Sequence, residues 1–155
     1  MDSAYNQIVS LIWNIADDVL RDVFLRGQYR DVILPMVVLR RIDALLEPTK
    51  EAVEAKIKEI ESDGFDVEDE DITDVTGLNY YNRSKWTLSR LKSQAADDEN
   101  ILYDNFVEYL NGFSDNVKDV LQNFDYYNKA KKLADNKRLL SIIERITDPH
   151  INLTD

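Results

Sequence analysis

Apolar residues recur at three- and four-residue intervals through much of this chain, which is the spacing of one buried helix face. Near the start, that spacing runs from Tyr5 to Val23 and predicts a first helix over residues 3–26. Asp2 or Ser3 can cap its beginning, and Gly27 stands where a glycine commonly ends a helix.

Residues 32–46, VILPMVVLRRIDALL, contain a run of eight apolar residues. A helix that is apolar all round must be surrounded by other elements, so we expect a central buried helix over about residues 32–47. Asp31 is its predicted N-cap, and Pro35 is expected in its opening turn or at a kink just inside. The apolar run is far too short to span a bilayer.

The stretch after Pro48 divides into a charged helix and an acidic loop. Helical spacing with solvated charges predicts the helix over residues 49–60. Residues 61–74 then carry eight acidic side chains and no basic one, and Gly64 and Gly77 interrupt the stretch. We therefore expect a mobile acidic loop at about residues 61–78. A calcium site is excluded because no glycine follows the aspartates where an EF-hand loop requires it.

The second half of the chain returns to short amphipathic helices. They are predicted over residues 87–93, 100–110, 114–124, 125–135 and 136–146, with Ile101 and Val120 among the inward-facing residues. No alternating run is long enough to predict a strand. The expected fold is all-α, a compact multi-helix domain around the central helix.

Composition and charge restrict the possible functions. The net charge is −11, and residues 1–76 hold 18 acidic against 8 basic side chains, whereas residues 77–155 hold 12 against 11. Since basic residues supply most non-specific affinity for nucleic acid, such a chain should meet DNA only as part of something larger. The absence of cysteine excludes disulfides, thiolate metal sites and a cysteine nucleophile. The N-terminus lacks the character of a secretory signal, which favours a soluble, cytoplasmic chain.

Residues that could form an active site are scarce. The one histidine, His150, follows Pro149 near the terminus, and the four glycines are too scattered to form a phosphate-binding loop. The three prolines are never adjacent, which excludes the Asn-Pro-Pro-aromatic motif that holds a flipped base. Asp17–Asp18 and Asp97–Asp98 point to different sides of a helix and suit surfaces or caps. We therefore expect no catalytic, cofactor-binding or metal-binding residue.

Two basic clusters could contact partners, because bases interleaved with aromatic residues suit phosphate and stacking contacts. For the cluster around Trp86, a solvated helix face with Trp86 packed inside is the favoured alternative. For the lysine-rich cluster beside Tyr126, a contact surface and a solvated helix face are equally favoured. Arg40 and Arg41 are expected to pair with a local acid such as Asp43 or Glu47. The first cluster comprises Arg83, Lys85, Arg90 and Lys92; the second comprises Lys129, Lys131, Lys132, Lys137 and Arg138, beside Tyr126 and Tyr127.

Three stretches together resemble a known family: IWNIADDVLRD at residues 12–22, YRDVILPMVVLRRIDALLEPTK at 29–50 and YLNGFSDNVKDVLQNFDY at 109–126. Residues 79–91, NYYNRSKWTLSRL, fit more loosely. The wording and order resemble the N-terminal helical domain of the modification (M) subunit of type I restriction–modification systems. Those subunits are S-adenosylmethionine-dependent, adenine-specific DNA methyltransferases.

The resemblance implies a fragment. Residues 1–150 would form the helical domain, and residues 151–155 would begin the linker to a catalytic domain absent from this chain. S-adenosylmethionine would belong to the parent enzyme and not to this part. The implied role is non-catalytic assembly and DNA clamping, with a specificity subunit, a second M subunit, a motor/nuclease subunit and double-stranded DNA as partners, and no membrane.

From the two basic clusters, the residues expected to contact DNA or another subunit are Arg83, Lys85, Arg90, Lys92, Lys129, Lys131 and Lys132. Two other interpretations remain open. The acidic first half also fits a self-contained helical interaction protein that imitates the charge of DNA. A stand-alone enzyme is the weaker alternative, because no histidine, cysteine or glycine-rich constellation supports it.

Overall fold

The computed structural model of the chain describes residues 3–148, and the regular elements within them are helical. The prediction of an all-α fold is confirmed. Within the described range, no helix is long and apolar enough to cross a membrane. Pro149, His150 and the predicted linker at 151–155 lie outside it. The α-helices are α1 (Ser3–Ile15), α2 (Tyr29–Leu46), α3 (Lys50–Ser62), α4 (Asp69–Thr76), α5 (Leu88–Ser93), α6 (Glu99–Asn111), α7 (Asp115–Asn123), α8 (Tyr126–Asp135) and α9 (Leu139–Ile146).

The first helix is shorter than predicted. α1 passes into a π-helical turn, Ala16–Leu20, and the chain then bends at Asp22, whose φ is 69°. Aspartate tolerates this left-handed conformation better than most residues. The bend returns Phe24 to the core, so Gly27 falls in a short 3-10 turn, Arg26–Gln28, and does not end the helix.

α2 covers the helix predicted over residues 32–47, and solvent reaches one side of it. Val32, Met36 and Leu39 are buried on its inner face, whereas Leu34 and Val38 are 41% and 40% exposed. The prediction of burial on all sides is therefore wrong for the outer face. The helix begins before Asp31, which lies in its first turn beside the positive end of the dipole, and Pro35 lies in the helix interior.

One apolar cluster contains residues of seven helices: α1, α2, α5, α6, α7, α8 and α9. Its aromatic part runs along α6 and just beyond: the ring centroids of Phe106 and Tyr109 are 6.0 Å apart, and those of Tyr109 and Phe113 are 4.9 Å apart, edge to face. Buried Tyr126 at the start of α8 donates a hydrogen bond of 2.7 Å from its hydroxyl to the Val32 carbonyl of α2. The two halves of the chain are thus fastened through both apolar and polar contacts.

The segment predicted as an acidic loop contains α4, so that prediction is wrong for residues 69–76. At the start of the helix the Glu68 N–H donates to Asp71 Oδ2 at 3.0 Å, and the Asp71 N–H donates to the Glu68 carbonyl at 3.1 Å. Acidic residues in its first turn also suit the helix dipole. Ile72 packs beside Val53 and Tyr81 in a second, smaller apolar cluster against α3. Val53 and Tyr81 lie outside the predicted loop, so the spacing of apolar residues within the loop could not reveal this contact.

The helices of the second half follow the prediction closely, with local shifts. α9 begins at Leu139 and not at Asn136, because Lys137 adopts a left-handed φ of 59° that interrupts the helix before it starts. Ile101 and Val120, predicted to face inward, are 46% and 42% exposed, and the neighbouring Leu102 and Leu121 occupy the core positions.

Candidate nucleic-acid and subunit interface

The lysines of α8 lie on the outer side of a helix whose inner side is tightly packed. Ala130, Leu133 and Ala134 are buried with Tyr126 against the core, which leaves the intervening lysines toward solvent. Because Tyr126 is fully buried and hydrogen-bonded to Val32, it is not available for stacking, and for this residue the packed interpretation holds.

Neighbouring groups hold the charged ends of these lysines. Lys131 Nζ lies 3.0 Å from Asp135 Oδ1 and 5.3 Å from the ring centroid of Tyr103, and the contact with Asp135 raises the pKa of Lys131. Lys132 Nζ lies 4.7 Å from the ring centroid of Phe24. Cation–π contacts attract an ammonium to the face of an aromatic ring and so favour one position of the lysine side chain.

Lys129 differs from these two lysines, because its Nζ donates to the Phe124 carbonyl at the end of α7. The ammonium therefore lies at the carbonyl end of a helix, where a positive charge is favoured. We call the three lysines Lys129, Lys131 and Lys132 the α8 surface; Asp135 of the same helix offsets part of their charge through Lys131.

The first basic cluster has a different environment. Trp86 is buried, and its indole N–H donates to Glu108 at 2.7 Å, which confirms the packed alternative for the tryptophan. Arg90 is paired with Glu54 at 2.7 Å and also donates to the Lys85 carbonyl at 2.6 Å. Lys92 is exposed on α5, away from these contacts.

Contacts of the two clusters therefore lie on different elements. Arg90 reaches α3 through Glu54, whereas the α8 surface reaches α6 through Tyr103 and the α1–α2 connection through Phe24. The two clusters therefore have separate surroundings. Glu54 pairs with Arg90 in the first cluster, and Asp135 pairs with Lys131 in the second.

A buried polar network lies beneath residues 81–88, which carry part of the first basic cluster. The sequence analysis did not predict this network. Asp43 of α2 accepts hydrogen bonds of 3.1 Å from the Leu88 backbone N–H and from the Tyr109 hydroxyl. Burial raises the pKa of Asp43 above its ordinary value and raises that of Tyr109 well above 10. The signal was the spacing of Asp43 four residues after Leu39 on the inner face. The sequence analysis had offered Asp43 only as a local acid for Arg40 or Arg41, and the charge of Arg40 does lower the pKa of Asp43 against the effect of burial.

Lys50 of α3 completes this network from the other side. Its Nζ donates to the carbonyls of Ser84 at 2.5 Å and Asn82 at 3.5 Å, and burial lowers its pKa to about 8. The Asn82 amide in turn donates to the Tyr109 carbonyl at 2.8 Å. These bonds fasten the irregular segment 81–88 to α2, α3 and α6.

The enclosed cavity beside Asp43 and Lys50 is small. Its volume is about 10 Å³, which is room for roughly one water molecule. Within residues 3–148, no group of three or more histidine, cysteine, aspartate or glutamate side chains is placed to hold a metal ion. The network therefore acts as a structural clamp on the segment that carries Arg83 and Lys85.

These observations define an all-α scaffold with a buried polar clamp and basic residues on its surface. A family model described as the HsdM N-terminal domain matches residues 8–146. The chain belongs to this family, the N-terminal domain of the modification subunit of type I restriction–modification methyltransferases, and the resemblance seen in the sequence is confirmed. The comparisons with curated proteins and with solved structures found no match.

Proposed function

We propose that this domain is a non-catalytic assembly and DNA-clamping module of a type I modification subunit. The parent complex would transfer a methyl group from S-adenosylmethionine to the N6 atom of adenine, with the chemistry carried by a separate catalytic domain. The specificity subunit, a second M subunit and the motor/nuclease subunit would be its partners. The single observation that supports a DNA contact is the α8 surface, where Lys131 and Lys132 are held against aromatic rings.

The physical argument for clamping combines rigidity with weak autonomous affinity. A well-packed core and the hydrogen bond from Tyr126 to the Val32 carbonyl hold α8 against α2. The lysines of α8 can therefore meet phosphates without a large ordering cost. With a net charge of −11, the isolated chain should bind DNA poorly. Contacts to phosphate would therefore form once other subunits have brought the duplex to this surface.

The cofactor is proposed to bind elsewhere in the parent subunit. Sites for small molecules are typically about 300–1,000 Å³ and mostly apolar. The enclosed cavity at Asp43 measures about 10 Å³, which is too small for an adenosyl group. Two larger hollows, of about 530 and 550 Å³ beside Arg83, are open to solvent and lined mainly by charged and polar side chains, so they lack the enclosed apolar walls of such a site.

The double variant Lys131→Glu, Lys132→Glu is expected to weaken DNA binding by the complete methyltransferase complex. Because each lost phosphate contact changes the slope of log affinity against log salt by about 0.9, loss of both should reduce that slope by about 1.8. Fluorescence anisotropy with a labelled duplex at several salt concentrations measures both quantities.

The matched control reverses two lysines on helices away from α8 and from the α1–α2 connection, Lys56→Glu on α3 and Lys92→Glu on α5, for the same change in net charge. The control complex should keep the slope of the unmodified complex. If the Lys131 and Lys132 variant also keeps its affinity and slope, the α8 surface does not contact DNA and the clamping role loses its support.

A further inference from the structure

Two segments that are far apart in the sequence meet at Lys132 and form a basic part of an otherwise acidic chain. Lys132 Nζ lies 4.7 Å from the ring centroid of Phe24, which belongs to the connection between α1 and α2. Residues 21–31 and 125–138 together carry eight basic and four acidic side chains, whereas the rest of the chain carries 11 basic and 26 acidic ones. We call these two segments the basic face. Because its net charge is opposite to that of the remaining chain, the basic face favours a polyanion over a partner of mixed charge.

Three arginines of the first segment are available to such a partner. Arg21, Arg26 and Arg30 are exposed, and none of them forms an ion pair with another residue in the described range. Lys131 of the α8 surface, in contrast, is partly neutralised by Asp135. Guanidinium groups bind phosphate oxygens through a rigid fork of N–H donors. The first segment therefore adds phosphate-binding groups beside the α8 surface.

Leu25 lies among these arginines, next to Arg26. Its side chain is 74% exposed, the largest exposed fraction among the large apolar side chains that the structure describes. Two hydrogen bonds fix the turn that carries it: the Leu25 N–H donates to Gln28 Oε1 at 3.0 Å, and the Gln28 N–H donates to the Leu25 carbonyl at 2.8 Å. The leucine is thus presented on a fixed backbone, which lowers the ordering cost of binding.

An exposed leucine flanked by arginines suits the minor groove of duplex DNA. Proteins that bind there insert apolar side chains such as leucine between base steps and place arginines in the groove beside them. The major groove is typically read by a whole helix or a two-stranded ribbon. Leu25 instead precedes a short 3-10 turn, Arg26–Gln28, between two helices. A turn of this size fits the narrower groove.

We propose that the basic face binds one continuous stretch of duplex, with its lysines and arginines on phosphates and Leu25 inserted into the minor groove. The inference rests on the proposed function and deepens it, because it names the groove that the clamp enters and the residue that enters it. Insertion of Leu25 partly unstacks a base step and kinks the duplex there.

Affinity cleavage tests the groove directly. The chain contains no cysteine, so Leu25→Cys gives this domain a single thiol, to which iron–EDTA is attached in the full modification subunit and its assembled complex. Hydroxyl radicals released in the minor groove cut the two strands at sites displaced toward their 3′ ends, and we expect that pattern. The unsubstituted complex and the Lys56→Cys variant on α3, treated with the same reagent, are the controls.

Two outcomes of this cleavage experiment would overturn the proposal. Cuts displaced toward the 5′ ends would place Leu25 in the major groove. Cutting no stronger than in both controls would show that Leu25 lies away from DNA.

Leu25→Ala is expected to lower the affinity of the assembled complex for DNA about tenfold, because an apolar contact is lost. The salt slope should stay unchanged, since leucine contacts no phosphate. Leu25→Met should restore the affinity to within about threefold, because methionine also serves as an apolar wedge. An alanine variant that binds DNA as tightly as the unmodified complex, or one with a reduced slope, contradicts the insertion.

The double variant Arg21→Ala, Arg26→Ala should instead reduce the slope of log affinity against log salt by about 1.8, because two phosphate contacts are lost. The matched control, Lys56→Ala, Lys58→Ala, removes two charges from α3 and should keep the slope. Equal slopes in the two double variants would remove the arginines from the basic face.

This inference and the clamping role fail separately. If the Lys131 and Lys132 variant loses salt slope while the Leu25 and arginine variants bind DNA normally, the clamp stands and the groove contact is wrong. If the Lys131 and Lys132 variant binds normally while the tether at position 25 still cuts in the minor groove, the α8 contact is wrong and the groove contact stands. Weaker assembly of the Leu25→Ala subunit without DNA, measured by native mass spectrometry, would assign Leu25 to a protein contact and overturn the inference.

Discussion

Replacing Asp43 with alanine is expected to lower the free energy of unfolding by about 3 kcal/mol. The Leu88 N–H and the Tyr109 hydroxyl would lose their shared acceptor inside the domain, and each buried unpaired group costs about 1–3 kcal/mol. Urea denaturation followed by far-ultraviolet circular dichroism measures the loss.

The variant Asp43→Asn separates the acceptor from the charge. Asparagine keeps an oxygen at the same position, so it should recover at least half of the stability lost in the alanine variant. Equal losses in the two variants would show that the hydrogen bonds from Leu88 and Tyr109 are not what stabilises the network.

The same pair of proteins tests the direction of the pKa shift. Burial raises the pKa of Asp43 above its ordinary 3.8, so the folded state holds this proton more tightly than the unfolded state does. The stability of the unmodified chain relative to Asp43→Asn should therefore rise as the pH falls through the folded-state pKa and level off below 3.8. A relative stability that rises with pH would contradict the assignment.

Replacing Gly112 with alanine is expected to lower the free energy of unfolding by about 2–3 kcal/mol. An added Cβ would lie 2.6 Å from Asn82 Oδ1 and 2.7 Å from the Ser84 backbone nitrogen. Neither can move freely, because Asn82 Oδ1 accepts from both the backbone N–H and the hydroxyl of Ser84, at 2.8 and 2.6 Å. Thermal or urea unfolding reports the loss.

Gly27→Ala is the matched control, since a Cβ there meets nothing within 4 Å. Its stability should change by less than about 0.5 kcal/mol. Similar losses at both glycines would mean that the close approach of segment 81–88 to the end of α6 is not the cause.

Helices that begin and end through local chemistry were predictable from the sequence. Asp98, one of the two aspartates that suited a cap, caps α6 by accepting from the N–H groups of Asn100 and Ile101. Thr87, the first residue of the helix predicted over 87–93, caps α5 by accepting from the Arg90 N–H. Both caps lie within three residues of the groups they satisfy, so these helix starts depend on local sequence.

The errors arose where distant residues decide the structure. α4 depends on burial of Ile72 beside Val53 and Tyr81, and the outer face of α2 stays open because no described element covers Leu34 and Val38. An apolar run shows which side chains can be buried, but it does not show which other elements will pack against them.

The candidate surfaces were only partly predictable for the same reason. The basic residues were visible in the sequence, but their partners were not: Lys132 meets Phe24 and Arg90 meets Glu54 across long separations. The pairing of Lys50 with the Ser84 carbonyl had no sequence signal beyond a single lysine at a helix start.

The central claim is that these helices position a separate methyl-transferring domain and do not bind its cofactor. Titration of S-adenosylmethionine by calorimetry into this chain and, in parallel, into the whole modification subunit tests it most directly. The account predicts a binding isotherm for the whole subunit and no measurable heat of binding for this chain. A micromolar isotherm from this chain alone would contradict it.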